Sequence, residues 1–253
     1  MIDTHCHLQD QKFEADRDEV VARARAAGLT AMLTIGEDLA DSYKALEVAE
    51  HFDLFVAAGI HPHEAQNAPP DIAGALRPLL GNPRVVAVGE TGLDYYYDRS
   101  PRDVQAGVLR AQLRVAREAG LPVIFHLRDA FADFIAILRQ EWVPGMRGVV
   151  HCFTGTAEEA RVHVDEFSLL LGIGGVVTFE NARGLRDAVL TVGAGKIVLE
   201  TDCPYLAPVP MRGKRNEPSF LTHTAAKLSQ LLGMPLDELV AETDANARRL
   251  FGI

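Results

Sequence analysis

The sequence is short of cysteine, of positive charge and of long apolar runs, and each shortage removes a class of protein. Three cysteines, Cys6, Cys152 and Cys203, are too few and too odd in number for a disulfide framework. Lysine and arginine total 25 against 35 aspartates and glutamates, a formal net charge of −10, which excludes a duplex binder that relies on broad basic surfaces. Local contacts to phosphate are not excluded, and an acidic surplus of this kind is partly offset when carboxylates hold cations. No run of ~20 apolar residues is present to span a membrane. The opening Met1-Ile2-Asp3-Thr4-His5 has neither the basic nor the long apolar segment of a signal peptide. A cytoplasmic protein without membrane contact is the expectation. No repeat, low-complexity segment or linker interrupts the chain, so residues 1–253 read as a single domain.

What is there is a chain with 48% hydrophobic residues, enough for a large core, and 253 residues, where an eightfold barrel typically needs ~250. Short apolar runs alternate with amphipathic, charged stretches. Strands are predicted at Ile2–Cys6, Ala31–Ile35, Leu54–Ile60, Val85–Gly89, Pro122–Leu127, Gly148–Phe153, Leu169–Ile173 and Lys196–Thr201. Several are continuous Val/Ile/Leu/Ala runs, as parallel strands covered on both faces require. Helical patterns include Asp16–Ala27, Ala40–His51, Pro101–Ala119, Asp129–Gln140, Ala157–Phe167, Phe220–Gly233 and Pro235–Phe251. The longest irregular stretch, Tyr205–Pro218, follows the eighth strand. Repeated strand-then-helix units indicate an α/β fold. Eight of them favour a closed (β/α)8 TIM barrel over an open doubly wound sheet.

The ionisable residues then fall where barrel enzymes build their sites, at the carboxyl ends of strands. In His5-Cys6-His7 the two imidazoles share a strand face and are placed to chelate one ion. Glu90 is a carboxylate at a strand end, which a cation keeps charged, and its two oxygens suit it to bridge two metals. His126 and His151 close apolar strands at matching depth and point to a second metal. In Glu200-Thr201-Asp202 both carboxylates face inward. Asp202, nearer the mouth, is placed to ligate the first metal and to take a proton from water, with Glu200 as support behind it. Cys6 and Cys152, next to these ligands, face away from the site and read as small buried groups. Arg128 shares the face of His126, and Arg212, Lys214 and Arg215 cluster in the loop after strand eight. Cations there suit a phosphate ligand. Tyr95, Tyr96 and Tyr97 either stack on bases or pack their loop.

Six blocks carry a family resemblance: Asp3-Thr4-His5-Cys6-His7, Gly59-Ile60-His61-Pro62-His63, Gly89-Glu90-Thr91-Gly92-Leu93-Asp94, His126-Leu127-Arg128, His151-Cys152-Phe153-Thr154-Gly155 and Glu200-Thr201-Asp202-Cys203-Pro204-Tyr205-Leu206. In this order the sequence resembles the TatD-type deoxyribonucleases. The resemblance implies a barrel of the metallo-dependent hydrolase type and a 3′–5′ exonuclease acting on single-stranded DNA or 3′ ends, and in some relatives on RNA. It implies two divalent ions (Mg²⁺, Mn²⁺ or Zn²⁺), one held by His5, His7, Glu90 and Asp202, the other by Glu90, His126 and His151. His61 and Arg128 match positions near the substrate phosphate. Nothing in it implies an obligate protein partner. On this reading Asp202, Glu90 and His61 are the catalytic residues and Arg128, Arg212 and Arg215 the phosphate contacts. The rival is a related barrel metallohydrolase that cleaves amides or esters, deacylation of D-aminoacyl-tRNA included. Many such enzymes bridge their metals with a modified lysine, and no lysine ends any of these strands.

Overall fold

In the computed structural model, which describes residues 1–253, eight strands make one sheet in chain order. They are β1 (Ile2–Cys6), β2 (Ala31–Ile35), β3 (Phe55–Ala58), β4 (Val85–Asp94), β5 (Val123–Arg128), β6 (Gly148–Val150), β7 (Leu170–Ile173) and β8 (Ile197–Leu199). The helices are α1 (Arg17–Ala26), α2 (Leu39–Phe52), α3 (Ile72–Leu80), α4 (Arg102–Ala119), α5 (Phe131–Glu141), α6 (Ala157–Arg161), α7 (Arg183–Val192), α8 (Leu221–Leu232) and α9 (Leu236–Phe251). Parallel strands in chain order with helices between them are the (β/α)8 TIM-barrel fold.

The chain comprises two compact units, Met1–Thr34 with Cys152–Ile253, and Ile35–His151. In the first, β1 pairs with β2 and β7 with β8, both in parallel. The first and last strands of the order meet here. Cys6 bridges to Cys203, the Asp202 amide donates to the His5 carbonyl and the His7 amide to the Cys203 carbonyl, each at 2.8 Å. All five residues of β1 are buried, its polar ones included. The loop after β8 is pinned by Asn216, whose side-chain amide donates to the carbonyls of Thr201 (2.8 Å) and Tyr205 (2.6 Å).

In the second unit β3, β4, β5 and β6 pair in parallel. Every residue of β4 is buried, as a strand covered on both faces should be. It runs five residues beyond the predicted end at Gly89, and its register with β5 shifts between Val88 and Thr91. Past the shift, Gly92 lies opposite His126 at φ 154°. A Cβ there would overlap the His126 carbonyl, so only glycine lets β4 approach the end of β5. Gly120, at φ 67°, closes α4 in the left-handed conformation that favours glycine. Two helices carry no clear sequence signal: α3 contains Gly74 and Pro78, and α7 follows a short 3₁₀ turn.

Candidate active site

In the first unit the functional side chains gather where β1 and the chain after β8 run side by side. His5 and His7 lie two residues apart, and their Nε2 atoms come to 3.3 Å. Asp202 Oδ1 lies 3.6 Å from His7 Nε2 and 4.0 Å from His5 Nε2. Strand alternation is what turns both imidazoles to the same side, facing this carboxylate. Asp202 sits three residues beyond β8 with φ 56°, a left-handed position that aspartate tolerates and that recurs at functional sites. Behind it, Asp3 is fully buried and accepts hydrogen bonds from the Thr201 amide (2.9 Å) and hydroxyl (2.6 Å). Burial raises its pKa to about 7 in spite of these bonds. Glu200 accepts from the Cys152 amide at 2.6 Å, and a Cβ at Gly172 would overlap its carboxylate. It is a buried anchor, one residue past the end of β8. Cys6 is buried and its thiol donates to the Leu33 carbonyl; burial, with its Cys203 neighbour, pushes that thiol well up. Cys152 departs from the expectation of full burial. It is partly exposed, with φ 45°, because β6 ends before it.

In the second unit a single atom is the focus. Glu90 Oε1 lies 2.9 Å from His126 Nδ1, 3.7 Å from His61 Nε2 and 3.8 Å from His151 Nε2. These residues come from β4, β5 and the turns after β3 and β6. His61 caps a 3₁₀ turn through its Nδ1, which accepts the His63 amide at 3.1 Å, and so aims Nε2 at Glu90. Burial holds His61 well below the usual imidazole range, with His126 acting in the same direction. At His126 burial also disfavours the cation, yet hydrogen bonds to Asp94 and Glu90 outweigh it and raise the pKa.

Asp94 is the functional residue that sequence reasoning missed. Its Oδ2 lies 2.9 Å from both His63 Nε2 and His126 Nε2, and its Oδ1 accepts the amides of Tyr96 (3.0 Å) and Tyr97 (2.8 Å). Burial opposes its charge, but the bonds from His126, the Tyr97 amide and His63 hold its carboxyl well below the ordinary range. The same contacts assign His63, which the sequence left without a role. One signal was available: Asp94 and Glu90 are both carboxylates in one apolar block, four residues apart.

The donor chemistry suits divalent cations. Imidazole nitrogens facing a shared carboxylate oxygen, and two imidazoles facing each other with a carboxylate beside them, are mixed N/O sets of the kind that hold Zn²⁺ or Mn²⁺. Asp94 accepts from His126 Nε2 and Glu90 from Nδ1, so the proton on Nδ1 is the one a cation on the Glu90 side would replace. Ligand atoms of His61, His63 and His126 also lie within 4.8 Å of one another.

The predicted phosphate contacts divide. The Arg128 guanidinium lies over the Tyr96 ring, 4.1 Å from its centroid. Arg212 is exposed and stacks on Phe179 at 4.0 Å. Arg215 is committed elsewhere. It makes two 2.7 Å bonds to the Asp16 carboxylate and a 2.6 Å bond to the Lys12 carbonyl, and covers Phe13. Its charge is used in anchoring the loop, whereas the sequence reading gave it as a phosphate contact with Arg128 and Arg212.

Comparison with known proteins points the same way. The family model described as "TatD related DNase" matches residues 2–252. The 3′-5′ ssDNA/RNA exonuclease TatD of Klebsiella pneumoniae is 41% identical, covering 100% of this chain and 98% of its own. An uncharacterized metal-dependent hydrolase of Bacillus subtilis, YabD, is 39% identical over 100% and 99% of the two chains. The crystal structure of the Escherichia coli TatD homolog YJJV superposes with a TM-score of 0.93 at 30% identity, covering 100% of this chain and 98% of that one. The chain belongs to the family of TatD-related DNases, which are metal-dependent hydrolases.

Proposed function

We propose that this protein is a two-metal 3′–5′ exonuclease acting on single-stranded DNA and RNA. The observation that carries the reading is the convergence of His61, His126 and His151 on one oxygen of Glu90. The His5, His7 and Asp202 trio supports it from the other unit, as does the printed activity of the Klebsiella pneumoniae relative. In this reading His5, His7, Glu90 and Asp202 hold one divalent ion, and Glu90, His126 and His151 hold the second.

Bound ions of this kind lower the pKa of water and offset charge on a phosphodiester. The chain's own side chains do the rest. Asp202 takes the proton from the attacking water, its carboxylate oxygen next to His7 being the acceptor. His61 stays neutral at physiological pH because burial disfavours its cation, so its Nε2 serves as a polar contact to a phosphoryl oxygen. Arg128 supplies a fixed positive charge for the phosphate. Asp94 holds His126 in one tautomer, and Asp3 and Glu200 hold the backbone at Thr201 and Cys152.

The test is cleavage of a 5′-labelled single strand, DNA and RNA in parallel, with Mg²⁺, Mn²⁺ or Zn²⁺. A ladder shortening one nucleotide at a time from the 3′ end is the expected result. Hydrolysis of amides or of aminoacyl esters by a metal-loaded protein that leaves both strands intact would overturn it.

A further inference from the structure

The second unit carries an exposed aromatic feature that the hydrolytic reading does not use. Three of the chain's five tyrosines are consecutive, Tyr95-Tyr96-Tyr97, directly after β4. Tyr95 is tied down, its hydroxyl donating to Asp133 at 2.8 Å and its ring lying under Arg102. Tyr96 and Tyr97 are 57% and 51% exposed, although side chains that only fill a loop would be covered. Their rings stand edge to face, centroids 4.9 Å apart at 89°. Both rings also lie against cations. Arg128 lies 4.1 Å from the Tyr96 centroid and 5.2 Å from that of Tyr97, and Arg99 lies 5.4 Å from Tyr97. Arg102 spends its charge on Asp98 at 3.1 Å, whereas Arg128 and Arg99 have their tyrosine faces and no carboxylate.

This pair is also fixed to the chemistry. The Asp94 oxygen that accepts the Tyr96 and Tyr97 amides belongs to the carboxylate that bonds His63 and His126. The Tyr97 ring is 5.4 Å from the His63 ring, which is 5.9 Å from that of His126. Exposed rings interleaved with cations, in a chain of net charge −10, are the recognition chemistry of unpaired nucleobases: a π face for the base and a positive charge for its phosphate.

We propose that Tyr96 and Tyr97, with Arg128 beside both, form a stacking platform for unpaired bases near the 3′ end of the substrate. Asp94 sets its position relative to the catalytic histidines. The proposal rests on the nuclease reading. It explains a preference for single strands, since bases inside a duplex present no free face, and it tolerates any base because every base has one.

The experiment compares two substrates on the metal-loaded protein: a single strand of thymidylates, and the same strand with its last three 3′ sugars lacking bases. Stacking of one base corresponds to about a 5- to 150-fold effect. Wild type should prefer the base-bearing strand in kcat/KM by that order. In Tyr96→Ala with Tyr97→Ala the preference should collapse toward one, while Tyr96→Phe with Tyr97→Phe should keep it. A wild type that cleaves both strands equally, or an alanine variant that retains the full preference, overturns the platform and leaves the nuclease reading standing. A wild type that cleaves neither strand overturns both.

Discussion

Replacing Asp94 by asparagine is the sharpest perturbation the site offers, because it keeps shape and turns one acceptor into a donor. The carbonyl oxygen of the new side chain could still accept the amides of Tyr96 and Tyr97, bonded in the wild type at 3.0 and 2.8 Å. Its amide nitrogen, however, would present hydrogens where Oδ2 of Asp94 now faces His63 Nε2 and His126 Nε2, both at 2.9 Å. For His126 the consequence reaches Glu90. With Asp94 keeping the proton on Nε2, Nδ1, which donates to Glu90 at 2.9 Å, is the nitrogen that can give up its proton to ligate a cation. If Nε2 must accept instead, Nδ1 has to keep its proton and cannot ligate. Loss of such a supporting partner typically costs ~10- to 100-fold in metal affinity or activity, or roughly 1.4–2.7 kcal/mol. Calorimetric titration of the metal-free protein with Mn²⁺, together with the cleavage rate at saturating metal, measures both. Metal affinity and rate within about twofold of wild type in Asp94→Asn, against the ~10-fold minimum expected, would refute the tautomer argument.

Arg128 and Arg215 should separate in a salt titration of single-strand binding. Each phosphate contact contributes ~0.7 to the slope of log affinity against log salt, so Arg128→Ala should flatten the slope by about that much. Arg215→Ala should leave the slope alone and cost roughly 1 kcal/mol or less in urea unfolding, through its pairing with Asp16; the opposite pattern would return Arg215 to the substrate. His163 sets an acid limit. Burial lowers its pKa from 6.5 to about 4, so folding favours the neutral ring. Its contribution is complete above pH 6.5 and is lost as pH falls from there toward 4, by up to about 3 kcal/mol. His163→Leu should therefore lose less stability than wild type between about pH 7 and 4 in urea unfolding, and parallel losses would count against this assignment.

The site was legible where chemistry follows chain period. His5 and His7 share a face because strand residues alternate, Glu90 follows an apolar run, and His126 and His151 end apolar runs at a depth that matches between neighbouring strands. Asp94 was legible only as a second carboxylate four residues after Glu90. The apolar run of β4 stops at Val88 and Gly89, and nothing in the sequence says that the strand continues through a register shift to residue 94. The anchoring role of Arg215 was hidden for a different reason. Charge is visible in a sequence but the partner is not, and Asp16 lies 199 residues away. Strand cores were placed well, whereas His61, His151 and Asp202 lie one to three residues past the ends of β3, β6 and β8. Their amides still bond neighbouring chain, Asp202 to the His5 carbonyl and His151 to the Phe125 carbonyl, so each side chain is held although its strand has ended. The helix α3 escaped because Gly74 and Pro78 break its propensity, and packing overrides them.

The central claim is that six side chains hold two ions and that Glu90 is common to both. Metal content after exhaustive dialysis against Mn²⁺ or Zn²⁺, measured together with cleavage of a 3′-terminated single strand, tests it most directly. The account predicts two ions per chain in wild type, and in Glu90→Ala a fall in bound metal together with loss of cleavage. Two ions retained in Glu90→Ala, with cleavage unimpaired, would contradict it.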